Sequence, residues 1–315
     1  MKPLVGISRC LLGDKVRYDG GHKLDRFLVG GLGAFVDYAP VCPEVECGLP
    51  VPREAMRLVG DPAAPRLVTI KGGADHTERM QAWAEARVEE LAALPLCGFV
   101  FKSGSPSSGM ERVKVYPPEG GMAQLKGVGL FAAALMRRLP RLPVEEEGRL
   151  NDPGLRENFI ERLFVMHRWR ELTAQGLTLG GLVDFHTRHK LLVMAHSPRH
   201  YTALGRMVAQ AKGRALDELA GEYLALLMEG LRLAATVKKN VNALSHVMGY
   251  FKKQLTPDEK AELLEVLDGY ARELLPLIVP VTLLNHYVRK FGQEYLAGQW
   301  YLRPHPAELK LRNHA

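Results

Sequence analysis

The sequence predicts a two-part fold. Residues 1–143 read as an α/β domain with a Rossmann-like, mostly parallel sheet, and residues 152–315 as an all-α helical bundle. Three observations carry this. The first half holds short apolar runs such as Leu96-Cys97-Gly98-Phe99-Val100-Phe101, bounded by turn residues and too short for helices, which is the pattern of buried strands. From Asp152 onward the apolar residues recur with the 3.6-residue period of helices, and no convincing strand interrupts them. Between the two, Pro140, Pro143 and the acidic run Glu145-Glu146-Glu147 read as a linker.

The bulk numbers fit that division. A chain of 315 residues has room for two domains, and its four cysteines are too few for a disulfide scaffold. The start, MKPLVGISRC, lacks a charged-then-apolar signal, and no apolar run is long enough to span a bilayer. A cytoplasmic location is therefore expected, without membrane contact and with thiols kept reduced for metal or catalysis. The formal charge of +7 divides into +2 over residues 1–150 and +5 over 151–315, and the second part also carries nine of the eleven histidines. That surplus is compatible with a polyanionic partner.

Taken in order, Lys2–Ser8 reads as a short buried strand that places Cys10 at its C-terminal end, the edge where open α/β sheets bind ligands. The polar turn Val16–Lys23 follows, in which Asp19, His22 and Lys23 are candidates to face a ligand. The apolar residues Phe35, Val36, Tyr38 and Val41 form a second strand. It runs into Cys42-Pro43-Glu44-Val45-Glu46-Cys47-Gly48-Leu49-Pro50-Val51-Pro52-Arg53. Three prolines and a glycine there exclude a helix interior or central strand, so this is expected to be a rigid loop. Two cysteines on such a loop suit a metal or a nucleophile better than core packing. Arg66–Ile70 is a further strand, and Asp75 caps a helix reaching Leu91. Leu96–Phe101 is the central strand, with Cys97 a small core residue. The loop from Lys102 to Arg112 carries Ser103, Ser105, Ser107 and Ser108, whose hydroxyls and N–H groups can meet an anion or a polar base edge. A strand at Val113–Tyr116 and a helix ending at Arg138 close the unit. Three strand ends, carrying Cys10, Cys42 and the serine loop, are expected to meet at one sheet edge.

In the second half, helices are expected over about 153–172, 182–196, 198–212, 216–237, 241–254, 257–274 and 276–289. Thr256-Pro257-Asp258-Glu259 is a well-formed helix start. Arg188, Lys190, Arg199 and Arg206, with His189, His196, His200 and Tyr201, fall close together on two successive helices and suit phosphate contacts with base stacking. The competing reading is a solvated face with His196 buried. Zinc on His186, His189 and His196 lacks a supporting carboxylate or Cys pattern, and no Walker loop, zinc finger or dinucleotide fingerprint is present.

Val5-Gly6-Ile7-Ser8, Cys10-Leu11-Leu12-Gly13, Tyr18-Asp19-Gly20-Gly21-His22-Lys23, Pro40-Val41-Cys42-Pro43-Glu44, Gly48-Leu49-Pro50, Pro52-Arg53 and Ser105-Pro106-Ser107 together resemble the thiouracil desulfidase domain. Phe185–Lys190, Ala195-His196-Ser197-Pro198 and Gly249–Lys253 resemble the helical YbgA-type domain often fused to it. The fusion is similar to bacterial tRNA 4-thiouridine desulfidases. That resemblance implies a [4Fe-4S] cluster on three cysteines, one iron without a protein ligand, and non-redox removal of sulfur from a thiolated pyrimidine in tRNA. The family commonly has cysteine after Ser-Pro-Ser, where this chain has Ser108, and here Cys47 is additional. The expected ligands are therefore Cys10, Cys42 and Cys47, because iron–sulfur clusters favour thiolates over a serine hydroxyl. Glu44 is the expected base, Ser105 and Ser107 position water or the base, and Asp19, His22, Lys23, Arg53, Ser103 and Ser108 surround the substrate. The alternatives are a desulfidase of free thiouracil, whose helical domain serves dimerisation or stability, and a non-catalytic, redox-sensing iron–sulfur protein that binds RNA.

Overall fold

The computed structural model describes residues 1–313. The chain divides into two compact units, Met1–Asp152 and Pro153–Ala315.

The first unit is built on two sheets. One is wholly parallel, in the order β2 (Asp37–Val41), β1 (Leu4–Ser8), β5 (Leu96–Phe101), β8 (Val144–Glu146). Every residue of β5 is buried, as its unbroken apolar run requires of a central strand. Phe131 packs edge-on against Phe99 and Phe101 with Trp83 alongside, and this aromatic group joins the sheet to helices α2 (Thr77–Ala93) and α3 (Leu130–Arg138). The second sheet is mixed, in the order β4 (Arg66–Thr69), β3 (Met56–Val59), β6 (Val113–Tyr116), β7 (Gln124–Gly127). The sequence points to β4 and β6, but not to β3, β7 or their assembly into a separate sheet. Its strands have four residues each and put Arg57, Lys114 and Lys126 among apolar neighbours, so none makes a long apolar run.

Two local expectations are corrected. The acidic run after Pro143 is no linker. Val144–Glu146 is an edge strand beside β5, with Glu145 and Glu146 buried, so the first unit runs past residue 143 to Asp152. Buried carboxylates need partners. Glu145 accepts from Arg149 Nε at 2.6 Å, Glu146 accepts from the Met110 amide at 2.6 Å, and Glu147 accepts from Ser103 and Lys102. The Cys42–Arg53 stretch is also not all loop, since Pro43–Glu46 forms one helical turn, α1. Proline is favoured at a first helical position, so Pro43 begins this turn rather than preventing it.

The second unit is all-helical: α4 (Pro153–Ala174), α5 (Leu179–His196), α6 (Pro198–Ala209), α7 (Leu216–Arg232), α8 (Val237–Gly249), α9 (Pro257–Ala271), α10 (Ile278–Lys290) and the short α11 (Glu294–Ala297). Thr256 and Glu259 form the reciprocal capping box at the start of α9. Arg312 is buried against Glu161 at 2.7 Å and Glu157 at 3.1 Å, and Glu161 also meets His196 at 2.9 Å. The C-terminal segment is thereby tied to α4 and α5.

Candidate active site

Because β2, β1 and β5 lie side by side and parallel, their C-terminal ends converge. Cys10 follows β1, Cys42 follows β2, and the serine loop follows β5. These segments wall a cavity of about 590 Å³ inside the first unit, and its lining includes Cys10, Cys42, Glu44, Arg53, Ser103, Ser105 and Ser108.

Both cysteines are buried free thiols. Burial, then the nearby charge of Glu44, pushes Cys10 up to about 11 and Cys42 up to about 12. Without a metal both are protonated near neutrality.

Glu44 stands at the centre of a short hydrogen-bond chain. Ser107 Oγ donates to its Oε1 at 2.5 Å, and Ser107 and Ser105 hydroxyls lie 3.0 Å apart. Its Oε2 is 3.6 Å from Cys42 Sγ and 3.7 Å from Arg53 Nη2. The carboxylate is thus held by one hydroxyl and one guanidinium, with its second oxygen on the cavity side.

The serine loop is fixed from two directions. Glu147 accepts from the Ser103 amide and hydroxyl, each at 2.7 Å, and from Lys102 Nζ at 2.5 Å. On the other side the first turn of α3 satisfies its unpaired N–H groups on the loop: Phe131 N donates to Ser107 O at 2.9 Å and Leu130 N to Pro106 O at 3.2 Å. Gly129 permits this approach, because a Cβ there would lie 2.4 Å from the Ser107 carbonyl carbon. The sequence showed glycine at 129 without showing why.

The structure sorts the expected site residues. Cys10, Cys42, Glu44, Lys23, Arg53, Ser103, Ser105 and Ser108 all line the cavity. Ser107 does not reach the wall and acts through Glu44. Asp19 and His22 do not line it either: Asp19 accepts from the Gly21 amide and His22 Nδ1 from the Leu24 amide, so both shape the turn that delivers Lys23. Cys47 is the main departure. Cys42 and Cys47 flank the single turn of α1, and only Cys42 reaches the cavity wall. Cys47 packs with Leu49, Leu58, Met80 and Leu130, and its thiol donates to Glu44 O at 3.2 Å. Arg79 of α2 holds this arrangement through the Cys47 and Gly48 carbonyls.

Sequence reasoning missed Lys102, Arg17, Arg9 and Lys114, which also line the cavity, and the apolar wall of Tyr18, Met56 and Ile70. With Lys23 and Arg53 that makes six basic side chains against the single carboxylate Glu44, a lining that suits an anionic occupant.

The family model described as 2-thiouracil desulfurase matches residues 5–147, the span that contains the whole cavity. The N-terminal half belongs to the 2-thiouracil desulfurase family. Membership makes the chain a desulfidase. A second family model, a protein family of unknown function called DUF1722, matches residues 190–306. The uncharacterized protein YbgA of Escherichia coli (strain K12) is 33% identical over 158 residues, covering 50% of this chain and 94% of YbgA. A solved structure, the [4Fe-4S]-dependent thiouracil desulfidase TudS, is 32% identical, with 48% of this chain and 95% of that one covered and a TM-score of 0.40.

In the helical unit the expected RNA-contacting residues divide. Arg199 and Arg206 are exposed on α6. Arg188 instead lies over the Trp300 ring, 4.9 Å from its centroid, and donates to Gly298 O at 3.3 Å, while Lys190 lies over Tyr295. His186 and His189 are buried, and burial holds His186 down at about 4 and His189 well below its ordinary value. No helix among the described residues is long and apolar enough to cross a membrane.

Proposed function

We propose that the cavity holds a [4Fe-4S] cluster and removes sulfur from 4-thiouridine in tRNA, giving uridine and sulfide. The observation that carries this is the convergence of Cys10, Cys42 and Glu44 on one cation-rich cavity within the desulfurase region. The donor set fits the group. Cys10 and Cys42 offer two soft thiolates from neighbouring strand ends, and the surrounding arginines and lysines offset the negative charge of a thiolate-bound cluster. When bound, a cluster with one iron free of protein ligands supplies a soft Lewis acid for the thiocarbonyl sulfur.

The chain's own residues do the rest. Glu44 takes the proton of the water that attacks C4 of the base, its carboxylate being oriented by Ser107 and faced by Arg53. Ser105, hydrogen-bonded to Ser107, orders the polar side of the cavity. Tyr18, Met56 and Ile70 offer an apolar wall to the pyrimidine ring, and Lys23 and Lys114 meet the backbone phosphates of the RNA that carries it. The +5 charge of residues 151–315 and the exposed Arg199, Arg206, Lys252 and Lys253 support a nucleic-acid substrate.

A specific observation favours a second reading, desulfuration of a free thiolated base or nucleoside. Two of the four basic residues expected to touch RNA, Arg188 and Lys190, are engaged on Trp300 and Tyr295. The separating experiment is sulfide release by the anaerobically reconstituted protein from thiolated tRNA, free 4-thiouridine and 2-thiouracil. The tRNA reading requires kcat/KM for thiolated tRNA to exceed the others by at least ten-fold. Equal or lower turnover of tRNA overturns it.

A further inference from the structure

We propose that Ser108, and not Cys47, is the third protein ligand of the cluster, an inference that rests on the cluster reading above. Ser108 lines the same cavity as Cys10 and Cys42, and the three come from the C-terminal ends of three adjacent parallel strands. Cys47 does not line it. Cys47, just after the turn of α1, packs in an apolar cluster, where its thiol donates to the Glu44 carbonyl and Arg79 donates to the Cys47 and Gly48 carbonyls. Bringing it to the cavity would cost its bond to the Glu44 carbonyl and its place in that cluster.

The other hydroxyls of the serine loop have partners: Ser103 with Glu147, Ser107 with Glu44, and Ser105 with Ser107 and the Ser108 amide. Ser108 is 3% exposed, its amide donates to Ser105 Oγ at 3.1 Å, and its loop is stitched to α3. It is held as a ligand must be, in a fixed place on the wall. As the three ligand bonds form, the Cys10 and Cys42 thiols and the Ser108 hydroxyl each release one proton to solvent, with no change in oxidation state. An oxygen donor is harder than sulfur and holds iron less well, so this cluster is the more easily stripped one.

The test uses the full-length protein, reconstituted without oxygen, as wild type, Ser108→Ala, Ser108→Cys, Cys47→Ala and the volume-conserving Cys47→Val. Iron, acid-labile sulfide, visible absorbance and Mössbauer spectra are recorded, with thermal melts of the metal-free forms as the folding control. The expected result is wild-type iron, sulfide and spectrum in both Cys47 variants, loss of most iron from Ser108→Ala, and full iron with an altered spectrum in Ser108→Cys. Ser108→Cys should also resist a chelator at least ten-fold longer than wild type. Retention of wild-type iron and spectrum by Ser108→Ala overturns the inference and leaves the cluster reading standing. So does loss of the cluster from both Cys47 variants while their metal-free melts are unchanged, or loading of Ser108→Cys alone. If no form takes up iron and sulfide, the cluster reading itself falls, and this inference with it.

Discussion

Glu44→Gln separates chemistry from architecture in this cavity. Glutamine keeps the side-chain volume and an oxygen that can still accept from Ser107, now 2.5 Å from the Glu44 carboxylate. What is lost is the negative charge and the ability to take a proton. Arg53 loses a partner 3.7 Å away but still donates to Val16 O at 3.1 Å and Pro50 O at 3.3 Å, so it is not stranded. The stability cost is therefore about 1–2 kcal/mol, the difference between a charged hydrogen bond and the neutral one that remains. For a unit of this size that is a fall in Tm of about 3–6 °C. A positioned base contributes about 10²- to 10⁴-fold to rate, which is about 3–5 kcal/mol of barrier. The two effects thus differ enough to be told apart. Removing the charge also lifts one of the causes that raise the Cys42 thiol, so thiolate formation there is not impaired. The assay is sulfide release under single-turnover conditions at matched iron content. A loss of at least about 100-fold is expected with iron per chain unchanged. Turnover within about three-fold of wild type would refute the assignment of Glu44 as base, because no stability or loading defect could then mask its role.

Glu147→Ala removes the acceptor of Ser103 and Lys102; the Lys102 and Glu147 side chains are each less than one-fifth exposed, and the change should cost about 2–3 kcal/mol after allowance for partial solvation. A fall in Tm of about 5–10 °C, together with lower iron loading as the serine loop loosens, checks this. Glu157 in the helical unit is raised from 4.5 to about 8, first by burial and then by Glu161. The folded protein therefore keeps a proton that the unfolded chain gives up above pH 4.5. Its contribution is fully present below that pH and is lost as the pH rises through 8. Glu157→Gln should accordingly stabilise the helical unit at pH 9 by on the order of 2–4 kcal/mol and leave it unchanged at pH 4, as followed by Trp fluorescence in urea titrations. Arg199→Glu combined with Arg206→Glu should lower turnover of thiolated tRNA at least ten-fold, flatten its dependence on salt, and spare free 4-thiouridine. Parallel loss on both substrates would count against an RNA surface on α6.

How much of this was legible in the sequence depended on the length scale of the signal. The convergence of Cys10, Cys42 and the serine loop could be anticipated because each follows an apolar run, and parallel neighbours put their C-terminal ends together. The period-3.6 stripes likewise located the helices of the second unit to within a few residues at most ends. What failed were features set by a single turn or a single partner. Prolines at 43, 50 and 52 argued for a loop, yet Pro43–Glu46 is a helical turn and Cys47 beyond it packs in an apolar cluster off the cavity wall. Acidic Glu145–Glu147 looked like solvated linker because the partners that make their burial tolerable, Arg149, the Met110 amide and Lys102, lie up to 45 residues away. Arg188 and Lys190 looked like phosphate ligands for the same reason, since their aromatic partners Trp300 and Tyr295 are more than a hundred residues further on.

The edge strand Val144–Glu146 has a practical bearing on dissection of the chain. Cutting after Pro143, where composition invites it, would strip the parallel sheet of its outermost member and remove the anchor of Ser103 in the same stroke. A fragment ending there should behave as a poorly loaded, aggregation-prone species, whereas one carried through Asp152 keeps its border sealed.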